Sequence, residues 1–307
     1  MSRERSKGIV GIFILVTVLF FIFIVFAFYT VSSLKDADGM GKNLMDKSKD
    51  SPIAVITIEN EIMESRKIVE MLIAAEEEKS IKVIILRIDS PGGAVAPTQE
   101  IYEEVRRIDK KKPIYASFGT VAASGGYYIG AACRKIWANA GTLTGSIGVI
   151  MQMADLSELF KWAKYKPEVI KAGRYKDIGS PNRPMTDEER MYLTDLLAGT
   201  HKQFMDDISV VRKDRLKKDI TELAQGQIFH GSEAKELGLV DEVGSLWQAG
   251  RAIHKEHKLK GEFSLRYLKP SKKKFSVTDF LQETEDTISF IKSKVEAKTV
   301  PAYKFEM

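Results

Sequence analysis

The segment VAASGGYYIG, residues 121–130, places Ser124 directly before two glycines and two tyrosines. A strand-like run, PIYASF at 113–118, precedes this segment, and the residues after Ser124 have helical character. A serine at such a junction lies at a helix N-terminus, where the helix dipole stabilises a developing alkoxide and unpaired N–H groups can bind an oxyanion. A serine there is also a common N-cap. The segment alone therefore leaves two interpretations open, a nucleophile and a capping residue.

A second strand-to-helix junction, RIDSPGGAVAP at 87–97, contains a Pro-Gly-Gly turn. Paired glycines let backbone N–H groups point at an approaching anion without a side chain in the way. Such donors suit an oxyanion hole, which stabilises the charge that develops on a carbonyl oxygen during acyl transfer. An ordinary turn between a strand and a helix has the same composition, so this motif alone is weak.

A serine nucleophile needs a base to take its proton. The chain has four histidines, at positions 201, 230, 254 and 257. None has a nearby aspartate in a triad arrangement, and we expect His201 on the surface of a long helix. A lysine can serve instead when burial removes its charge. Lys176, in IKAGRYKDIGSPNRPMTDEER at 170–190, is one candidate. Its sequence surroundings alone do not distinguish it from the other lysines.

The elements that must position these residues alternate between strands and helices. Strand-like runs occur at 53–58, 82–88, 113–118, 135–139 and 145–150. Helical periodicity occurs at 65–78, 95–108, 156–165 and 185–214, the last with Thr186 and Glu189 in a capping-box pattern. This alternation predicts an α/β fold in which helices cover parallel strands joined by right-handed crossovers.

The composition is that of a globular protein, with 44% hydrophobic and 29% charged residues in 307. The net charge of +5 is spread along the chain, and no basic stripe with interleaved aromatic residues indicates nucleic-acid binding. Cys133 is the only cysteine, which excludes an internal disulfide and a cysteine-cluster metal site. We expect Cys133 to fill space in the core.

The N-terminal segment has the pattern of a membrane anchor. Residues 8–31 carry no charge, and as a helix they would span roughly 36 Å, enough to cross a hydrocarbon core of about 30 Å. The run is longer than the apolar core of a cleavable signal, so we interpret it as an uncleaved signal-anchor. The cations at positions 3, 5 and 7 favour a cytoplasmic N-terminus, which would place the rest of the chain outside the cytoplasm.

The sequence predicts four regions. Residues 1–34 form the cytoplasmic tip and the transmembrane signal-anchor, and residues 35–51 form a polar tether. An α/β domain follows at 52–257, and residues 258–307 form a C-terminal extension with one predicted helix at 280–297.

Four segments together resemble consecutive blocks of the signal peptide peptidase A family (peptidase family S49): DSPGG, ASGGYYIGAACRKIWANAGTLTGSIGVI, KAGRYKDIGSPNRPMTDEER and GQIFHGSEAKELGLVDEVG. These blocks occur in the family's order and spacing over about residues 53–255, and they resemble its short, single-copy form. The resemblance implies a ClpP/crotonase-like α/β fold, a repeated β-β-α superhelix with a parallel sheet covered by helices, plus an N-terminal transmembrane helix.

The resemblance also implies roles for individual residues. Ser124 matches the family's nucleophile, and Lys176, 52 residues later, matches its general base. Ser146, in TGSIGV, matches a serine whose hydroxyl orients the lysine amine. The chain departs from the family where His230 replaces a common threonine and where Cys-Arg-Lys at 133–135 replaces a small, acidic stretch.

Gly93 and Gly125 match the backbone donors of the family's oxyanion hole, and Gly92 is an alternative to Gly93. The resemblance calls for no metal or nucleotide cofactor. It implies cleavage of remnant signal peptides and other short or unfolded segments at the cell membrane. It further implies a ring- or dome-shaped homo-oligomer and leaves open whether neighbouring subunits contribute the serine and the lysine.

Three other functions are compatible with parts of this pattern. A crotonase-like acyl-CoA enzyme shares the fold, but the anchor and the lack of an obvious catalytic acid argue against it. A stomatin-type membrane serine peptidase of the same clan is the nearer rival, and the Ser-Gly-Gly-Tyr-Tyr sequence at 124–128 favours the signal-peptide branch. A non-catalytic scaffold does not explain why both Ser124 and Lys176 are present.

Overall fold

The computed structural model describes residues 18–20, 22–26 and 50–270. The residues of the first two ranges are helical, and their side chains are exposed. Within these three ranges, no helix has the length and apolar character needed to cross a bilayer. The predicted span at 8–31 lies mostly outside the described residues, and the predicted helix at 280–297 lies wholly outside them.

Within residues 50–270, the centre of the fold is an eight-stranded sheet with the order β6-β5-β3-β2-β1-β8, in which β4 pairs with β3 and with β7. All pairings are parallel except that of β5 with β6. The strands are β1 Ile53–Glu59, β2 Val83–Ser90, β3 Ile114–Ala123, β4 Ile136–Ala138, β5 Leu143–Gly145, β6 Ile228–His230, β7 Glu242–Val243 and β8 Arg266–Tyr267. The predicted parallel α/β architecture is therefore confirmed.

Helices connect and cover these strands. Within residues 50–270 they are α1 Arg66–Glu77, α2 Val95–Asp109, α3 Gly125–Ala131, α4 Ser157–Trp162, α5 Asp187–Arg212, α6 Ile220–Leu223, α7 Gly231–Glu236 and α8 Leu246–Glu256. The predicted capping box at the start of α5 is present, with Thr186 and Glu189 each accepting a hydrogen bond from the other's backbone N–H. The compact unit extends to Leu268, because β8 pairs with β1.

The central strands are buried on both faces, as parallel strands covered by helices must be. Along β1, alternate residues contribute to two hydrophobic clusters: Ile56 packs in the cluster that contains α1 to α3, and Val55 packs in the cluster that contains α8. The apolar faces predicted for α1 and α2 point into the first cluster, where Leu72 and Val105 are fully buried. Cys133 is also buried, as expected, and burial raises the pKa of its thiol.

The structure differs from the sequence-based expectation after β5. An extended run was expected at 145–150, but the strand ends at Gly145. Gly145 has φ 82° and Ser146 has φ 49°, and two consecutive positive φ values turn the chain out of the sheet. The helix expected at 156–165 is also shorter and covers only Ser157–Trp162.

A buried ion pair joins the end of α5 to the start of β4. The Arg212 side chain is fully buried, and it donates to Asp241 Oδ2 at 3.1 Å and to the Gly238 carbonyl at 2.9 Å. Asp241 also accepts a hydrogen bond from the Ile136 N–H at 2.7 Å and pairs with Arg215. One carboxylate therefore neutralises a buried guanidinium and fixes the beginning of a strand.

Replacing Asp241 by alanine is expected to lower the free energy of unfolding by about 3–5 kcal/mol, because it leaves a buried cation unpaired. Urea denaturation followed by circular dichroism measures this loss. The control is Asp206→Ala, which removes an exposed ion pair with Lys202 and should cost no more than about 1 kcal/mol. Similar losses in the two variants would contradict a structural role for the buried pair.

Candidate active site

Ser124 connects β3 to α3 in a conformation that is rare for a residue with a side chain. Its φ is 51° and its ψ is −118°, and such a backbone conformation costs on the order of 1–3 kcal/mol. The Ser124 N–H donates to the Gly145 carbonyl, and the Ser124 carbonyl accepts from the Tyr128 N–H, both at 2.9 Å. Neighbouring elements on both sides therefore hold the strained residue in place.

The Ser124 hydroxyl does not cap the helix that it precedes. The residue occupies the N-cap position of α3, yet its side chain forms no capping hydrogen bond. The capping interpretation is therefore wrong for the side chain, although the position is correct. Ser124 is half-buried and lines a cavity, and its hydroxyl is not engaged by the backbone of its own helix.

Two cavities meet at Ser124. The first, which we call the apolar cavity, has a volume of about 130 Å³ and is lined by Val95, Tyr128 and Phe204, among others. The Tyr128 and Phe204 rings pack edge to face with centroids 4.7 Å apart. The second, which we call the polar cavity, has a volume of about 520 Å³ and is lined by polar side chains that include Ser146, Glu61, His201 and Gln225.

The glycines of the Pro-Gly-Gly turn differ in what their N–H groups do. The Gly92 N–H donates to Ser90 Oγ at 3.2 Å. No hydrogen bond from the Gly93 N–H occurs among the described residues, and Gly93 lines both cavities together with Ser124. The Gly125 N–H, at the first position of α3, likewise has no backbone partner in the described part of the chain. Gly93 and Gly125 thus present two unpaired donors beside Ser124.

Both positions in the turn require glycine. A Cβ atom on Gly93 would lie 2.3 Å from the Ile62 carbonyl oxygen. A Cβ atom on Gly92, whose φ is 114°, would lie 2.9 Å from Ser124 Cβ. Since these separations are shorter than van der Waals contact allows, any side chain would push the turn away from the serine.

Ser146 lies next to Ser124 although 22 residues separate them in the sequence. Ser146 follows Gly145, whose carbonyl accepts the Ser124 N–H, and both serines line the polar cavity. The Ser146 N–H donates to the Gln227 carbonyl at 2.6 Å, which holds the turn against the loop before β6. The structure therefore brings these two predicted site residues into one cavity.

Lys176 is not brought to Ser124 within this single chain. Its side chain is exposed, and it lines neither the apolar nor the polar cavity. Within the described part of the chain, the Lys176 amine has no hydrogen-bond or ion-pair partner. A general base must reach the nucleophile directly or through one water, so the single chain places the two halves of the predicted dyad apart.

The segment that carries Lys176 is nevertheless firmly held. The Arg183 guanidinium bridges Asp177 and Glu189, and Lys171 also pairs with Asp177. Hydrogen bonds from Arg183 hold the pKa of the Asp177 carboxyl well below its usual range and, with the Thr186 N–H, lower the pKa of Glu189 to about 2. Lys176 therefore projects outward from a braced turn.

His201 is a residue of the cleft that sequence reasoning misplaced. We expected it on the outer surface of α5, but it is half-buried and lines the polar cavity. Its Nε2 atom is buried and has no hydrogen-bond partner among the described residues. Helical spacing could have indicated this position. His201 comes three residues before Phe204 and so lies on the same face of α5, and Phe204 is buried and lines the apolar cavity. The remaining histidines line neither cavity.

Asp89 is a second residue that sequence reasoning did not single out. Its Oδ1 atom accepts hydrogen bonds from the Thr120 N–H at 3.1 Å and the Val121 N–H at 3.0 Å. These bonds form where the register between β2 and β3 shifts. Asp89 thereby fixes the bend of β3 just before Ser124, and the only hint in the sequence is its place at the start of DSPGG.

Comparison with known protein families identifies the group to which this chain belongs. A family model described as Clp protease matches residues 40–145. The model of peptidase family S49 matches residues 106–260, just over half of the 307 residues. The chain belongs to peptidase family S49. Its mixed sheet covered by helices is consistent with a ClpP-like fold, and the resemblance found in the sequence is confirmed at the level of the family.

Individual relatives of this S49 chain carry peptidase names. A Synechocystis protein provisionally named a protease is 42% identical over 181 residues, which cover 59% of this chain and 65% of the relative. An Enterococcus faecium protein provisionally named signal peptide peptidase SppA is 36% identical over 62% of this chain and 56% of its own length. The chloroplastic serine protease SPPA of Arabidopsis thaliana is 34% identical over 60% of this chain and 27% of its own length. The match thus spans less than two thirds of each relative.

Proposed function

We propose that this protein is a membrane-anchored serine endopeptidase, with Ser124 as its nucleophile and Lys176 as its general base. The proposal rests mainly on the environment of Ser124. This residue has a strained backbone, its hydroxyl forms no capping hydrogen bond, and it lines two cavities. The unpaired N–H groups of Gly93 and Gly125 support the assignment of an oxyanion hole. Membership of peptidase family S49 and the names of the relatives support peptide hydrolysis.

The reaction proceeds in two halves. A neutral Lys176 amine takes the Ser124 proton as Oγ attacks the peptide carbonyl, and the resulting ammonium gives a proton to the leaving amine. Water, deprotonated by the same lysine, then hydrolyses the acyl-enzyme and releases Ser124. During both steps Gly93 and Gly125 donate to the oxyanion, and the Ser146 hydroxyl orients the lysine amine from the polar cavity.

The exposed position of Lys176 supports a dyad that is completed by a neighbouring copy of the chain. The segment between Ser146 and Lys176 exposes large apolar side chains: Ile150 is 89% exposed, Trp162 83% and Ile170 96%. Nine large apolar side chains between residues 150 and 170 are exposed, a density along the chain that favours a surface covered by a partner. A ring- or dome-shaped homo-oligomer would bury this segment and carry each Lys176 into the cleft of the next subunit. Desolvation in that cleft would favour the neutral amine.

The proposed substrates are remnant signal peptides and other short or unfolded segments at the cell membrane. Val95, Tyr128 and Phe204 in the apolar cavity suit the apolar side chains of such peptides. The charge-free run at 8–31, with exposed helical residues at 22–26, supports an anchor through the bilayer. The proposed topology is a single pass with a cytoplasmic N-terminus and an extracytoplasmic catalytic domain.

The pH dependence of peptide hydrolysis tests the lysine base. We expect kcat/KM for an apolar fluorogenic peptide to rise between about pH 6 and 9, because only an unprotonated base can take the Ser124 proton. The full chain in detergent or vesicles is assayed across this range, with circular dichroism to verify that it remains folded. A flat profile would contradict a lysine base.

His201 is expected to hydrogen-bond the bound peptide, because its buried Nε2 has no partner of its own. The variant His201→Phe should raise KM about tenfold with a smaller change in kcat, as expected when one hydrogen bond to substrate is lost. His254→Phe is the matched control, since His254 Nε2 is also buried and unpartnered but lies outside both cavities. Equal KM values for His201→Phe and the wild type would contradict this role.

A further inference from the structure

Five loop segments meet at the end of the sheet where the parallel strands begin: 76–82, 109–113, 133–135, 212–219 and 254–262. The first three lead directly into β2, β3 and β4. Segment 212–219 is joined to the same end by the ion pair of Arg215 with Asp241, which also binds the first N–H of β4. Segment 254–262 is joined to it by the contact of His257 with the Tyr115 hydroxyl near the start of β3. We call these five segments the amino-end surface.

The amino-end surface is strongly basic. Its segments contain fifteen Lys and Arg residues against eight Asp and Glu residues, whereas the whole chain has an excess of only five. Many of the lysines are exposed and form no ion pair among the described residues: Lys79, Lys110, Lys213, Lys217, Lys218, Lys255, Lys258 and Lys260. Their charges are therefore available to an external partner.

The opposite end of the sheet, which holds Ser124, lacks this basic excess. The segments 59–64, 89–94, 119–124, 139–142 and 224–230 contain three glutamates and one aspartate and no Lys or Arg. The first cations beyond β1 are Arg66 and Lys67, and Lys67 is paired with Glu64. The longer loop at 146–186, which follows β5 at the same end, contains seven Lys and Arg residues against four Asp and Glu residues. This end as a whole is therefore nearly neutral, with eight acidic residues against seven basic ones, and an anionic surface would attract the amino-end surface more strongly.

The chain enters the domain at the basic end. Ser51, just before β1, donates a hydrogen bond from its hydroxyl to the Ser264 carbonyl at 2.6 Å, next to the start of β8. The charge-free run at 8–31 is joined to this point by only about twenty residues. An anchor held in a bilayer would therefore keep the amino-end surface close to lipid headgroups, at a high effective concentration.

We propose that the amino-end surface docks on the headgroups of anionic phospholipids, with the Ser124 end facing away from the bilayer. Clusters of lysines beside a membrane segment are attracted to negative headgroups within about one Debye length, roughly 8–10 Å at moderate salt. Lysine stems are flexible, so the exposed amines can reach headgroups over an uneven surface.

This docking defines the substrate of the proposed peptidase more narrowly and rests on that proposed function. Strand β3 begins at the basic end and stops at Ala123, directly before Ser124. Its ten residues place Ser124 about 30 Å from the amino-end surface. The nucleophile would therefore lie well above the headgroups. Its substrates would be peptide segments that have already left the bilayer and can extend to that height.

Energy transfer from the full chain to headgroup acceptors tests the docking. Dyes are attached to Lys110→Cys at the basic end and to Met63→Cys at the Ser124 end; the native Cys133 is buried and reacts little. In vesicles of phosphatidylcholine with phosphatidylglycerol, transfer should be high from position 110 and low from position 63. In pure phosphatidylcholine, or at about 1 M salt, the ratio of the two efficiencies should fall, because only the attachment of the chain to its anchor then keeps the basic end near the bilayer.

Charge reversal provides the matched comparison. The variant Lys213→Glu, Lys217→Glu, Lys258→Glu should reduce the difference between the two dyes in anionic vesicles to the value that the wild type shows in pure phosphatidylcholine. The control variant changes the net charge by the same amount but outside the amino-end surface, through Arg66→Glu, Lys67→Glu and Lys202→Glu. It should preserve the difference in energy transfer between the two dyes. Ser124→Ala should also preserve it, so failure of the peptidase proposal and failure of docking are separable.

Three results would overturn the proposal. Equal transfer from the two dyes in anionic vesicles would exclude a preferred face, and higher transfer from position 63 would reverse the orientation. A difference as large in the triple reversal of the amino-end lysines as in the wild type would exclude these charges as its cause. Preferential binding of a double-stranded oligonucleotide over anionic vesicles would assign the surface to nucleic acid instead.

Discussion

The variant Ser124→Ala is expected to lower kcat/KM for peptide hydrolysis by at least about 10³-fold, because it removes the atom that forms the acyl-enzyme. The unpaired N–H groups of Gly93 and Gly125 remain in this variant. Any residual rate would therefore reflect the oxyanion hole and substrate binding alone. Because the Ser124 hydroxyl does not cap α3, stability should change little.

Hydrolysis of the fluorogenic peptide and thermal unfolding are measured side by side on Ser124→Ala. The matched control is Ser117→Ala, which removes a fully buried hydroxyl from the same strand and its hydrogen bond from Arg87. The control should lose some stability and keep its activity. Activity of Ser124→Ala above a few per cent of the wild type would contradict the assignment of the nucleophile.

Replacing Lys176 by alanine is expected to have an effect of similar size, because members of a catalytic unit act together and their losses are not additive. Lys176 is exposed in the single chain, so its removal should not alter the fold. Lys166→Ala is the control, since this exposed lysine belongs to the same segment of the chain and has no proposed role in catalysis. Lys166→Ala should hydrolyse the peptide as the wild type does.

Mixing the two inactive variants tests whether the dyad spans neighbouring subunits. If Ser124 of one chain works with Lys176 of the next, hetero-oligomers of Ser124→Ala and Lys176→Ala contain some interfaces with both native residues. We expect such mixtures, reassembled from dissociated subunits, to recover a substantial share of the activity. No recovery, with intact oligomers and an active wild type treated in the same way, would contradict a shared dyad.

The elements closest to Ser124 were predictable because their patterns are local. The β-branched residues of β1 and β2 and the helical spacing of Ile101, Val105 and Ile108 gave the correct types of element within a few residues. Thr186 and Glu189 marked the start of α5 through a capping box, which depends only on residues three apart. Parallel pairing then followed from the alternation of strands and helices.

The parts that sequence reasoning missed depend on contacts between distant segments. The sequence could not tell whether Gly92 or Gly93 offers the oxyanion donor. In the structure the Gly92 N–H donates to Ser90 Oγ, which leaves the Gly93 N–H without a partner among the described residues. The entry of His201 into the cleft depends on how α5 packs. The exposure of Lys176 depends on the turn braced by Arg183. Local patterns do not contain these relations.

Covalent labelling can identify the nucleophilic serine without reference to any substrate. The full chain is treated with a fluorophosphonate, which reacts with activated serines, and the modified residue is located by mass spectrometry of its proteolytic fragments. We expect one adduct, on Ser124, that is absent from Ser124→Ala and forms much more slowly in Lys176→Ala. An adduct on another serine, or labelling of Ser124→Ala at the wild-type rate, would contradict the assignment of Ser124 as the nucleophile.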